Sequence, residues 1–274
     1  MKPYLLIGLA LILIIVIIIF IVVSKNFDHK NKIENNQTSK ETSIKSTITS
    51  IEFPFKYIVV PGKDALDTVK KYKSDSLSPV TPIIMGGNEQ ISMLTDAIEY
   101  NESTLDEILK GALEININNF LKEREEEDSE IVNDPEILGE WSDNVKPSNQ
   151  LAAYTDILTG KPLKEVYVGL VPTIKSYEVP AYIKFGGWNA CPDPEQHVAL
   201  MKYWNEKYGA NIISITGDTI ECTVDNPPTT KEEAMALARE QFLYCEDIVT
   251  QGCGSISALA GTLLNAKYWY FWWD

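Results

Sequence analysis

Hydrophobic and polar positions divide the chain into three regimes. From Tyr4 to Val23 no residue is charged and Leu, Ile and Val dominate, which matches the about 20 apolar residues a helix needs to cross a hydrocarbon core. The run is apolar on every helical face and ends Val22-Val23-Ser24-Lys25, without the small-residue cleavage signature of a secretory leader. A transmembrane anchor is therefore expected over residues 1–24, with the lipid bilayer as its partner. From Lys25 to Ser50 apolar residues become sparse and Lys, Asn, Ser, Thr and Glu take over. Such a stretch buries too little surface to offset chain entropy and predicts a flexible tether with a reach of roughly 30 Å. Beyond it, periodic apolar positions return and continue to the end.

In the third regime, Phe53 to Val60 followed by Pro61-Gly62 predicts a strand and turn, with a helix around Asp64 to Tyr72. Val80 to Met85 predicts a second strand. The Gly86-Gly87-Asn88 turn leads into a helix with Asn88 as its cap and Ile91, Leu94, Thr95 and Ile98 on one face. That turn lacks the further glycines or the Gly-Lys-Ser/Thr of a phosphate loop. Another helix starts at Ser103 or Thr104 and runs out into the acidic stretch Glu123 to Asp128, expected to be solvated. Periodicity fades between Ser129 and Lys164, where a soft boundary separates an N-terminal α/β region, residues 51–150, from a C-terminal domain, residues 151–274.

The C-terminal part is the most legible. Val166 to Val171 predicts a strand and Ser176 to Phe185 a helix. Asp193-Pro194-Glu195-Gln196 predicts a capped helix start, with Leu200, Met201, Trp204 and Tyr208 on its buried side and Gly209 as its stop. A hairpin follows: Ile213 and Ile215 lead into Gly217-Asp218, after which Ile220, Cys222 and Val224 form a buried face and Thr219, Glu221 and Thr223 a wet one. Thr230 and Glu233 form a capping box for a helix burying Ala234, Ala238, Gln241 or Phe242, and Cys245, and Ser255 caps a last helix through Leu264. The run Tyr268 to Trp273 is aromatic throughout. As a strand it sends large rings to both faces, which predicts a central position in a sheet with a layer on either side. The fold class expected is α+β (mixed α/β).

Charge narrows the function. Lys and Arg number 24 against 39 Asp and Glu, a formal charge of -15. With arginine only at Arg124 and Arg239, no basic patch exists to read phosphates, and nucleic acid is excluded as a partner. The only lysine before the apolar run is Lys2, whereas Lys25, Lys30, Lys32 and Lys40 follow it. This count favours a cytoplasmic C-terminal domain on a single-pass membrane protein. The four cysteines, Cys191, Cys222, Cys245 and Cys253, lack CxxC or zinc-finger spacing and are expected as free thiols, with no metal or cofactor.

Several segments occur together and in order: Val168-Gly169-Leu170-Val171-Pro172, Phe185-Gly186-Gly187-Trp188-Asn189-Ala190-Cys191-Pro192, Trp204 to Ala210, Asn226 to Thr230, Glu240 to Cys245, Gln251-Gly252, and Phe271-Trp272-Trp273-Asp274. From about Val166 to Asp274 the chain resembles the bacterial domain of unknown function 4253 family, and Phe53 to Glu127 resembles an extension that precedes this domain in some members. Members often read Cys-Pro-Asp where this chain has Cys245-Glu246-Asp247. The resemblance implies no reaction and no catalytic residues.

Candidate chemistry therefore comes from residue types. Cys191 or Cys245, with His197 and Asp247, could supply a thiol nucleophile, a base and an orienting group, while Trp188, Asn189 and Gln251 are candidate binding residues. The structural alternative makes Cys245 helix core, leaves His197 exposed in the first turn of its helix, and puts Cys191 at a loop end. On balance the sequence points to a non-catalytic interaction or binding module with a protein partner, recognised through a groove beside the aromatic-rich sheet. The alternative is a hydrolase or thiol-type enzyme.

Overall fold

The computed structural model describes residues 53–75, 79–127, 129–147 and 150–274. The span expected over Tyr4–Val23 and the tether lie outside the described residues. Among the described residues no helix is long and apolar enough to cross a membrane.

The first half builds β1 (Lys56–Val60), α1 (Ala65–Lys73), β2 (Thr81–Ile84), α2 (Asn88–Tyr100), α3 (Leu105–Glu114) and α4 (Ile117–Glu127), then two single turns, α5 (Ser129–Val132) and α6 (Pro135–Leu138). The second half builds β3 (Val166–Val171), α7 (Val179–Ile183), α8 (Pro194–Tyr208), β4 (Ala210–Ile215), β5 (Thr219–Val224) and α9 (Lys231–Tyr244). A π-helical turn (Ile248–Cys253), α10 (Ile256–Leu263) and β6 (Tyr268–Trp272) complete it. Local chemistry sets many of these ends. Thr104 with Glu107 and Thr230 with Glu233 close reciprocal capping boxes, and Ser255 Oγ accepts from the Ala258 amide. At α8, the Asp193 amide donates to Gln196 Oε1 at 2.9 Å and Pro194 occupies the first turn, where its missing N–H is harmless. Asn88 opens α2 from inside it, with Gly87 at the cap, because its side chain instead accepts from Tyr167 Oη at 2.6 Å. The acidic stretch after Lys122 is helical through Glu127. Phe120 anchors that helix in the core and Arg124 Nε donates to the Leu243 carbonyl at 3.2 Å.

The result is a mixed α+β fold around one six-stranded mixed sheet of order β1-β3-β2-β4-β5-β6. Neighbours are antiparallel except β2 and β4, which run parallel and share the register pair Ile84↔Ser214. The sheet therefore crosses the soft boundary placed between Ser129 and Lys164, with β2 lying between β3 and β4. One face carries the main core: Ile220, Cys222, Trp269 and Phe271 pack with Ile183, Leu200, Trp204, Phe242 and Leu259 from the helices α7 to α10. The other face is covered more sparsely, by Ala65 and Val69 of α1 and by Ala153, which pack on Ile84, Val166 and Val168.

Two expectations are corrected here. The aromatic strand is not central: β6 forms the edge of the sheet beside β5. Its rings do not need cover on both sides, because Trp269 and Phe271 go into the helix-side core while Tyr270, on the sparse face, stays 40% exposed. The hairpin is not wet on one face either. Glu221 is buried on the sparse face, where Oε1 accepts from the Ala152 amide at 2.5 Å and Oε2 from the Ala153 amide at 3.1 Å. Burial raises the Glu221 carboxyl above its ordinary range, and those two amides oppose the shift. A bulge between Ile212 and Ser214 turns Ile212 and Ile215 toward the main core and Ile213 toward the other.

Candidate functional site

The loop from Lys184 to Asp193 brings the candidate side chains together. Lys184, Gly186, Gly187 and Asn189 all take positive φ, so the chain reverses repeatedly between α7 and α8. At Gly186 only hydrogen fits: a Cβ there would lie 2.0 Å from the Pro192 carbonyl oxygen and 2.7 Å from His197 Nε2. The turn is closed by Gly187 N–H donating to Pro192 O and Cys191 N–H donating to Trp188 O. It folds down over the first turn of α8 and covers His197 completely, which corrects the expectation that this residue is exposed.

His197 joins a buried polar chain. Its Nε2 lies 3.4 Å from Cys191 Sγ, and its Nδ1 lies 2.6 Å from Tyr244 Oη. Edge contacts from Phe185 at 5.1 Å and Trp273 at 5.2 Å box in the ring. Without water to solvate an imidazolium, burial lowers the His197 pKa to about 3. Burial, and next the nearby Cys245, pushes the Cys191 thiol far above its ordinary range, and burial raises Tyr244 as well. All three are neutral near pH 7.

Each ring nitrogen has one side-chain partner, the Tyr244 hydroxyl at Nδ1 and the Cys191 thiol at Nε2, so the neutral ring can donate to one of them while accepting from the other.

The other candidates meet elsewhere. Cys245, at the C-terminal cap of α9, donates from Sγ to the Trp272 carbonyl at 3.0 Å, and burial pushes its pKa up to about 12. Asp247 accepts from Gln251 Nε2 at 2.8 Å through Oδ1 and from the Asp274 amide at 3.0 Å through Oδ2. Asn189 Nδ2 donates to the Asp274 carbonyl at 2.6 Å. Asn189, Cys245, Asp247 and Gln251 thus form a clamp on residues 272–274, and Trp273 from the clamped segment packs on His197. Trp188 stands apart, edge-on to Phe185 at 4.9 Å beside a shallow groove with Tyr100 and Asp96. Among the described residues no cluster of three or more His, Cys, Asp or Glu could hold a metal ion. Cys191 also borders a polar cleft of about 350 Å³, where Glu123, Glu127 and Asp193 surround Arg124.

Every one of these clamp and chain residues falls within residues 167–274, which match the family model of a domain of unknown function, DUF4253. The C-terminal part of the chain is a DUF4253 domain. No curated protein and no solved structure matches the chain. The DUF4253 domain supplies β3 to β6, while β2, which separates β3 from β4, comes from outside it. Tyr244 is the participant that residue types alone did not single out. Its signal was present in the Glu240 to Cys245 segment, but only the packing of α9 against α8 places its hydroxyl on the imidazole.

Proposed function

We propose that the DUF4253 domain is a non-catalytic binding module held at the membrane by the apolar run Tyr4–Val23, and that it recognises its partner beside the aromatic strand β6. The observation that carries this reading is the burial of Cys191 and His197, which holds the thiol far above its ordinary pKa range and the imidazole well below its own. A thiol enzyme needs the opposite arrangement: an imidazole basic enough to take the thiol's proton, and an acidic, accessible cysteine. The specific point in favour of the enzyme reading is the 3.4 Å approach of Cys191 to His197 at the wall of a cleft.

Alkylation separates the two readings. With iodoacetamide at pH 7 and peptide mass mapping of the full-length chain, Cys253 is expected to react in the native state. Cys191, Cys222 and Cys245, all buried, should react only after unfolding in urea. Native alkylation of Cys191 with an apparent pKa below about 8 would sink the binding-module reading and favour the enzyme. Anchoring is tested separately: after alkaline carbonate washing of membranes the full chain should stay in the pellet, and its release would remove the anchor.

A further inference from the structure

The segment leading into β3 carries a short projecting hairpin. Its base is closed by the bridge Thr155↔Pro162 and by the Leu163 amide, which donates to Tyr154 O at 2.9 Å. Leu163 O in turn accepts from the Gly62 amide, and the Ala152 and Ala153 amides sit on Glu221, so the hairpin stands on a fixed platform. Every residue from Ile157 to Lys161 is exposed, and a Cβ at Gly160 would meet nothing within 4 Å. At the tip, Ile157 and Leu158 are 89% and 91% exposed. Single exposed aliphatics such as Leu113 and Ile174 are ordinary, but Ile157 and Leu158 are the only adjacent large apolar side chains so exposed among the described residues.

The tip also occupies its own polar groups. Asp156 Oδ1 accepts from the Thr159 amide and hydroxyl, both at 2.8 Å, with the Leu158 amide as a weaker third donor. Gly160 N–H donates to Asp156 O and Asp156 N–H to Lys161 O, each at 2.8 Å. A loop enters a lipid surface at lower cost when its amides and carboxylates are paired internally, since hydrocarbon offers no replacement for water. A protein partner makes no such demand. Lys161, exposed at the foot of the tip, can lay its stem along that surface and keep its ammonium among the headgroups.

We propose that the Ile157-Leu158 tip inserts into the surface of a lipid bilayer, as a second and shallow membrane contact that orients the domain. This rests on the anchoring part of the proposed function. Two aliphatic side chains hold a free protein on a bilayer only weakly. A tether with a reach of roughly 30 Å makes the contact intramolecular and keeps its effective concentration high, so a weak insertion suffices.

The test uses the full-length chain in phosphatidylcholine vesicles, with Cys253→Ser removing the exposed thiol. A nitrobenzoxadiazole label is placed on Leu158→Cys or, as reference, on Leu113→Cys, a position 77% exposed on α3. The label at 158 is expected to emit further to the blue, and to be quenched several-fold more by nitroxide-bearing acyl chains, than the label at 113. Ile157→Asp should bring the signal at 158 down to the reference, and with a side chain so exposed the variant keeps its fold. Equal quenching at the two sites overturns the proposal, and so does quenching at 158 that Ile157→Asp leaves unchanged. A blue shift at 158 without lipid quenching also overturns it, because a protein surface, a second copy included, then covers the tip. Failure of the anchor is distinguishable. A chain quenched at 158 but released by carbonate washing loses only the anchor, a pelleted chain unquenched at 158 loses only the tip contact, and a chain that never sediments with the vesicles loses both.

Discussion

Deleting Trp269–Asp274 is expected to abolish the cooperative thermal transition of a fragment beginning at Ile51, rather than trim a loose end. Trp269, Phe271 and Trp273 are 1%, 0% and 2% exposed. Phe271 stacks on Trp204 at 5.5 Å, Trp269 meets Trp204 and Tyr208 at 5.9 and 5.5 Å, and Trp273 meets Tyr244 at 5.2 Å. Truncating one buried Phe or Trp to Ala costs about 3–5 kcal/mol, so removing three costs about 9–15 kcal/mol, as much as the roughly 5–15 kcal/mol that holds a domain together. Circular dichroism melts of the two fragments decide it. A cooperative melt retained in the truncated form would mean that these rings form a removable surface and not the wall of the core. The edge position of β6 does not weaken this expectation, because its weight lies in side-chain packing and not in ladder hydrogen bonds.

Acid should destabilise the domain through His197. The folded imidazole has a pKa near 3 against an ordinary 6.5, so folding favours the neutral ring. Above pH 6.5 both states are neutral and the stabilisation is complete. As pH falls below 6.5 the unfolded chain takes up a proton that the folded chain refuses, and stability declines by about 1.4 kcal/mol per pH unit until the folded pKa is reached. Glu221 acts in the opposite sense: its raised carboxyl pKa means that acidification relieves a buried charge. The informative quantity is therefore the difference between the wild type and His197→Gln, whose amide can still hydrogen-bond with Tyr244. Urea midpoints followed from pH 7 to pH 4.5 should fall more steeply in the wild type. Parallel curves would show that another group carries the acid response.

The sequence was most legible where the physics is local. Thr104 with Glu107, Asp193 with Gln196, Thr230 with Glu233, and Ser255 mark helix starts because a cap needs only a side-chain oxygen within one turn of an exposed amide. The strand at Val166–Val171 was equally plain. What local pattern cannot carry is the order of strands. Two-sided aromatics in Tyr268 to Trp273 suggest a central strand, yet the structure tolerates a half-exposed Tyr270 at the edge. Glu221 reads as surface in an alternating strand and becomes interior only because residues 152 and 153, distant in sequence, present two amides to it. The candidate site failed in the same way. The first turn of a helix is ordinarily exposed, and His197 is buried because the loop with Gly186 folds back over it. Cys191 and His197 do meet, whereas Cys245, Asp247, Gln251 and Asn189 gather around the end of β6 instead of around the thiol.

The position of β2 has a consequence for how the chain holds together. Strands β3 and β4 belong to the DUF4253 domain but do not touch along the sheet. A strand from the preceding segment is threaded between them, antiparallel to one and parallel to the other. The two halves are interleaved like the parts of a split protein, so strand pairing as well as the connecting peptide keeps them associated. A single cut there would leave two pieces, each filling the gap in the other's sheet.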